Sequence, residues 1–164
     1  MTELQRLRDD HAAAVLAFEQ ENRAYFAASI SDRGDGFFEN FGERHEALLA
    51  EQEAGTAAYH VLVADDGRVL GRFNLLFDGP GTAELGYRVA QDVAGRGVAT
   101  AAVQELCRLA ATHYGLRMLR AATSTDNLAS QRVLMKAGFV AAGPADPAHI
   151  GGRTGTWYER TLNE

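Results

Sequence analysis

The chain has 164 residues, 46% of them hydrophobic, and carries a net charge of −6 from 22 acidic and 16 basic side chains. That length suits one core and a single domain spanning 1–164, and the acidic balance argues against a nucleic-acid partner, whose binding surface would be basic. A lone cysteine, Cys107, leaves no internal disulfide. No run reaches the ~18 apolar residues of a membrane span, the opening MTELQRLRDD has no apolar signal core, and no Cys/His cluster has metal-ligand spacing, so a cytoplasmic protein with no membrane or metal partner is expected.

In chain order, Leu4 and Leu7 flank a short first strand, and Asp9 or Asp10 is placed to cap the helix that follows. The alanine-rich stretch 11–29 reads as helix with a break near Glu21. A turn at 32–36 precedes a second helix from Phe37 to Glu53, ended by Gly55. The period then becomes two. Tyr59, Val61 and Val63 alternate with His60, Leu62 and Ala64, the hairpin turn 65–68 leads into a strand over 69–77, and a turn at 78–82 leads into another over 83–90. From Val98 to His113 the period is helical again, with Ala99, Ala102, Val103, Leu106 and Ala110 on one face. Strand 118–123, helix 127–137 stopped by Gly138, strand 139–142 and strand 157–162 complete the chain. A mostly antiparallel meander followed by β-α-β-α-β-β gives an α/β fold of the α+β mixed-sheet kind, with helices on both faces.

The segment Tyr87–Thr100 is the most informative. A strand leaves through a loop containing Gly95 and Gly97 and enters a long helix. Glycines let backbone N–H groups approach a ligand, and the first N–H groups of a helix lack internal partners at the positive end of its dipole. Such a loop is an anion cradle suited to a pyrophosphate, or else a plain flexible turn. Thr100 stands where a dinucleotide fingerprint needs its third glycine, and no lysine follows to reach terminal phosphates, which excludes the Rossmann and P-loop patterns.

One helix and one strand downstream, Asn127 to Phe139 has the form N-x-x-S-x-x-x-L-x-x-x-G-F. The pairing resembles the GNAT acetyltransferase superfamily. Asn127-x-x-Ser130, with Glu84-Leu85-Gly86-Tyr87 and the early Glu21-Asn22-Arg23, is similar to its ribosomal-protein N-terminal (Rim) branch. The resemblance implies the GNAT fold and acetyl-CoA as cosubstrate, without a metal. By the same resemblance Gly95, Arg96, Gly97, Val98, Ala99 and Thr100 offer backbone N–H groups to the pyrophosphate, Tyr87, Arg88 and Val89 run beside the pantetheine arm, Asn127 hydrogen-bonds that arm, and Ser130 lies near the thioester sulfur. Three departures stand out. Ala94 replaces the Arg or Gln that often opens the loop motif, Leu134 occupies the place of a proton-donating tyrosine found in many members, and 151–157 lacks the Asp and His of the Rim tail.

Glu84 is the best-placed carboxylate for a general base, because a protonated amine must lose a proton before it attacks; the alternative is a structural glutamate. Ser130 is either a donor to the departing thiolate or a packing and capping residue. His149 sits in a late loop facing either the acceptor or solvent, and His11, His45, His60 and His113 read as solvent or capping residues. Phe18, Tyr25, Phe26, Phe37, Phe38 and Phe41 read as core between the early helices and the sheet or else as the wall of an acceptor pocket, Cys107 reads as core, and Glu39, Glu43 and Glu46 as a solvated helix face or a seat for an acceptor cation. The expected reaction is direct transfer of acetyl to a primary amine, a protein N-terminus or a small molecule such as a polyamine, amino acid or antibiotic, by a monomer or homodimer. A non-catalytic acetyl-CoA-binding module is the reading of another class.

Overall fold

The computed structural model describes residues 2–162. Its seven strands form one sheet in the order β1-β2-β3-β4-β5-β7-β6, with β1 at Thr2–Arg6, β2 at Ala57–Ala64, β3 at Val69–Gly79, β4 at Thr82–Val89, β5 at Met118–Ser124, β6 at Val140–Ala145 and β7 at Gly155–Thr161. All neighbours are antiparallel except β4 and β5. The helices are α1 (Ala12–Glu21), α2 (Arg23–Ala27), α3 (Asp35–Glu39), α4 (Phe41–Ala54), α5 (Val98–Thr112) and α6 (Leu128–Lys136). None is long and apolar enough to cross a membrane.

Alternation along the strands divides the core in two. Phe73, Leu75, Leu85 and Leu119 point to one face and pack with Val103, Leu106 and Leu134 of α5 and α6. On the other face Tyr59 and Val61 pack with Phe18, Phe26, Phe37 and Phe41 of the first four helices. The apolar stripe expected on α5 is buried as a unit, and Cys107 beside it is 2% exposed, its thiol pushed up by burial.

Several local expectations are corrected. Neither Asp9 nor Asp10 caps a helix; Arg8 is the N-cap of a 3-10 turn, and its N–H donates to Nδ1 of His11 (2.9 Å). The 32–36 turn already contains the start of α3, and the single helix expected from Phe37 is split at Asn40, whose amide donates to Gly36 O (3.0 Å) and closes α3. Strands β6 and β7 extend beyond their expected limits because they pair with one another over 140–145 and 155–159. His113 is exposed and His11, though buried, caps the 3-10 turn by accepting from the Arg8 N–H, both within expectation, whereas His45 and His60 are buried. His60 Nε2 lies 3.0 Å from the Tyr114 hydroxyl, and burial lowers its pKa to about 4, so the ring is neutral at physiological pH. The break after Glu21 is confirmed. Asn22 bridges it, donating to Phe18 O (2.9 Å) and accepting from the N–H of Gln91 (2.9 Å), which ties the α1–α2 junction to the loop leaving β4.

Candidate active site

The site begins where two parallel strands part. Strands β4 and β5 pair only through Thr82–Met118, Ala83–Leu119 and Glu84–Arg120, yet β4 continues to Val89 and β5 to Ser124. From Leu85 onward the β4 edge facing β5 is therefore open, a row of backbone donors and acceptors available to an extended ligand. Two cavities meet there. One, of about 330 Å³, runs along the start of α5 and α6 and is lined by Tyr87, Val89, Gly95, Gly97, Thr100 and Lys136 among others. The second, of about 400 Å³, lies between the parted strands and is lined by Arg33, Arg72, Asn74, Thr123, Ser124 and Arg153 among others. Ile30, Tyr87, Arg88, Asn127 and Ser130 border both.

The first cavity has the chemistry of an anion cradle. Gly95 and Gly97 have φ of +76° and +77°, a conformation that side chains with a Cβ rarely adopt, and a Cβ built on either would meet nothing within 4 Å. Gly97 is the N-cap of the 15-residue α5 without a side-chain cap, and Ala101 is the first residue whose N–H is taken, by Gly97 O (3.0 Å). The N–H groups of 95–100 make no backbone hydrogen bond among the described residues. Arg132 and Lys136 on α6 also line this cavity. Sequence reasoning passed over both; their i, i+4 spacing on a helix entering the motif was the available signal. The cradle, its free donors and these cations fit a pyrophosphate-bearing cosubstrate.

At the junction the Tyr87 hydroxyl lies 3.1 Å from Ser130 Oγ, and the Tyr87 ring stacks on Phe73 at 5.7 Å and 10°. Burial raises the phenol to about 12, so it stays protonated. A phenol that holds its proton so tightly is a hydrogen-bond donor and a weak acid. Leu134 is 1% exposed and offers no hydroxyl; Tyr87 brings one to Ser130 from β4. That contact joins residues 43 apart, and nothing local in the sequence announces it. Asn127 caps α6, its Oδ1 accepting from Ser130 N–H (3.2 Å), which leaves its amide NH2 for a ligand.

The second cavity is basic. Arg72 and Arg88 are cross-strand partners on β3 and β4, an arrangement in which like charges repel. Glu19 of α1, 1% exposed, sits against both, with Arg72 Nη1 at 2.8 Å and Arg88 Nη1 at 3.2 Å, and receives Arg33 Nε and Nη2 at 3.1 and 3.2 Å. Burial opposes ionisation of Glu19, but the guanidinium groups of Arg33, Arg88 and Arg72 hold its pKa below the ordinary value. Burial, with Arg33 nearby, brings Arg88 down to about 10. The Arg88 guanidinium is thus engaged by Glu19 and lies over the Phe26 ring at 4.7 Å, and the residue borders both cavities.

Glu84, the expected base, stands at the last rung of the β4–β5 ladder rather than in the cavity lining. Its side chain is 24% exposed, and Oε2 is 2.7 Å from His149 Nε2; His149 in turn lies 4.9 Å from the Trp157 ring. The structure thus brings Tyr87, Asn127 and Ser130 together with the loop 95–100, and sets Glu84 apart with His149. Arg96 is exposed and lines neither cavity.

Comparison with known proteins agrees with this geometry. The sequence matches the acetyltransferase (GNAT) domain family over residues 2–140. It is 30% identical over 135 residues to the probable N-acetyltransferase YjcK of Bacillus subtilis, covering 76% of this chain and 72% of that one. Among solved structures it superposes on a ribosomal-protein-S5-alanine acetyltransferase from Vibrio fischeri (TM-score 0.89, 21% identity, 99% and 94% of the two chains). It also superposes on RimJ of Mycobacterium smegmatis in complex with a CoA disulfide (TM-score 0.86, 22% identity, 98% and 81%). The parted strands, the glycine cradle at the head of α5 and a family match over most of the chain lead to one conclusion: the chain belongs to the GNAT acetyltransferase family, as an acyltransferase that uses acetyl-CoA as cosubstrate.

Proposed function

We propose that the chain acetylates the α-amine of a protein or peptide N-terminus by direct transfer. The observation that carries this reading is the acceptor cavity itself, which no Asp or Glu side chain lines among the described residues. A site without a carboxylate at the reacting centre suits an amine that loses its proton readily. An α-amine titrates near 7.7–8.0, roughly 2.5 units below a lysine amine. A polyamine would bring several positive charges against Arg33, Arg72 and Arg88. The fold shared with ribosomal-protein N-acetyltransferases supports the same assignment.

Acetyl-CoA supplies the acyl group already activated as a thioester. N–H groups of 95–100 hold its pyrophosphate, the open edge of β4 from Leu85 to Val89 aligns the pantetheine arm, and the Asn127 amide donates to that arm. The acceptor enters through the other cavity, and the two reactants meet at Tyr87 and Ser130, so positioning provides much of the rate. The C–N bond forms as the C–S bond breaks; backbone donors of the open β4 edge face the developing negative charge, and the Ser130 and Tyr87 hydroxyls donate to the departing sulfur. Glu84 accepts the amine proton through water. It lies three residues before Tyr87, about 10 Å along a strand, which is too far for direct contact with a nucleophile at the junction.

Two measurements test this assignment. In competition among N-terminal peptides, polyamines, free amino acids and aminoglycosides, peptides are expected to show the highest kcat/KM; a small amine about tenfold faster would reject the peptide acceptor and leave the acetyltransferase activity standing, and the absence of thioester cleavage with every amine would mark a non-catalytic module. The Glu84→Gln variant is expected to lose roughly 10²-fold or more at neutral pH, and less at high pH where free amine is abundant. A uniform loss under about threefold would make Glu84 structural.

A further inference from the structure

The acceptor cavity has the opposite sign to the molecule. The chain carries −6 overall, yet four arginines line this cavity, Arg33, Arg72, Arg88 and Arg153, against the two carboxylates that pair with them, Glu19 and Asp126. Glu19 occupies one nitrogen each of Arg72 and Arg88; their remaining guanidinium nitrogens make no hydrogen bond among the described residues. Two further polar atoms of the lining are also unpartnered. Ser124 Oγ belongs to a residue 5% exposed, and Asn74 Oδ1 is buried on the strand between Arg72 and Leu76. Buried polar groups in native proteins are almost always hydrogen-bonded, so the unpartnered Ser124 hydroxyl and Asn74 carbonyl oxygen, beside arginine nitrogens that Glu19 does not take, mark the place of a ligand with matching groups. Arginine forks pair with carboxylate and phosphate oxygens, and the Ser124 hydroxyl can donate to the same group. Asn74 offers an acceptor to an amine N–H, and a volume of about 400 Å³ is that of a small-ligand site.

We infer that the acceptor carries an anionic group, a carboxylate, within about one residue of the amine that is acetylated, and that Arg33, Arg72 and Arg88 hold it. The inference rests on the proposed function only in placing the acceptor amine at the junction with the cosubstrate groove. The carboxylate has two possible sources, an acidic side chain next to a peptide N-terminus or the free carboxylate of a small acceptor.

The test is calorimetry on the protein saturated with CoA, so that binding is read without turnover. The probes are seryl-aspartate amide, seryl-asparagine amide, seryl-lysine amide and seryl-asparagine free acid. At least one of the two anionic probes is expected to bind about tenfold or more tightly than seryl-asparagine amide, about 1.4 kcal/mol, and to weaken with added salt. Tighter binding of the aspartate amide identifies the side-chain source, and of the free acid the small-acceptor source. Arg33 touches only the acceptor cavity, so Arg33→Gln should shrink the acid preference to under about threefold while the acetyl-CoA Kd is unchanged, and Arg33→Lys should restore part of it. Equal binding of acid and amide, tightest binding of the lysine probe, or no binding of any anionic probe at about 10 mM would each overturn the inference. Carboxylate-dependent binding without acetylation of any peptide would remove the peptide acceptor and leave the anion site intact.

Discussion

Replacing Glu19 with alanine is expected to destabilise the fold by about 3–5 kcal/mol, the loss typical when one member of a buried ionic cluster is removed. The reason is specific to this cluster. Arg72 and Arg88 face one another across β3 and β4 and are 7% and 16% exposed at their side chains, with Arg33 above them. Without Glu19, partly desolvated like charges confront each other with no counter-charge. At about 2–4 °C per kcal/mol for a chain of this size, the melting temperature should fall by roughly 6–20 °C. Glu19→Gln keeps the shape and removes the charge, so a similar loss in that variant assigns the effect to electrostatics rather than to a cavity. A loss under about 1 kcal/mol in both variants would show that the arginines are adequately solvated. The pH dependence has a definite sign. The folded-state pKa of Glu19 is depressed, so its contribution is present above the ordinary carboxylate range and is lost as pH falls through the lowered value.

Gly97→Val should raise the acetyl-CoA Kd at least about tenfold, or 1.4 kcal/mol. Two effects act in the same direction. Valine at a φ of +77° is strained by roughly 1–2 kcal/mol, and relief of that strain turns the N–H groups of 97–100 away from a common focus. The new side chain would also occupy the open space in front of the cradle, where no protein atom lies within 4 Å. Because that space is empty of protein, the fold should survive, and an unchanged circular dichroism spectrum beside a weakened calorimetric Kd would isolate the binding defect. An unchanged Kd would show that the backbone at 95–100 is not the anion cradle.

Much of the molecule was legible without its structure, because the relevant physics is local. The change of period from 3.6 to 2 and back located the helices and strands, and turn residues at 65–68 and 78–82 separated the meander strands. Glycines 95 and 97 ahead of an apolar helix marked the cradle, and Asn127-x-x-Ser130 marked the head of α6. The glycine loop at the head of α5 is made of consecutive residues and their own backbone, so spacing along the chain carries it. Its limits are local too. Side-chain competition at helix ends, the His11 ring at Arg8 and the Asn40 amide at Gly36, shifted the boundaries of the first helices.

The cavity between the parted strands is different in kind. Glu19 meets Arg33, Arg72 and Arg88 across separations of 14, 53 and 69 residues. Tyr87 meets Ser130 across 43, and Glu84 meets His149 across 65. Each contact depends on sheet register and on which helix lies over which strand. Read along the chain, Arg72 and Arg88 are unremarkable strand residues and Glu19 one more polar residue of an alanine-rich helix. Only the alignment of β3 with β4 makes the two arginines partners, and only the packing of α1 on that face supplies their carboxylate. The sequence by itself determined the family, the elements and the glycine loop ahead of α5, since periodicity, turns and backbone donors act within a few residues. The tertiary structure alone decided the charge of the cavity between the parted strands, the Tyr87–Ser130 hydroxyl pair and the burial of three histidines, since electrostatics and desolvation depend on neighbours in space.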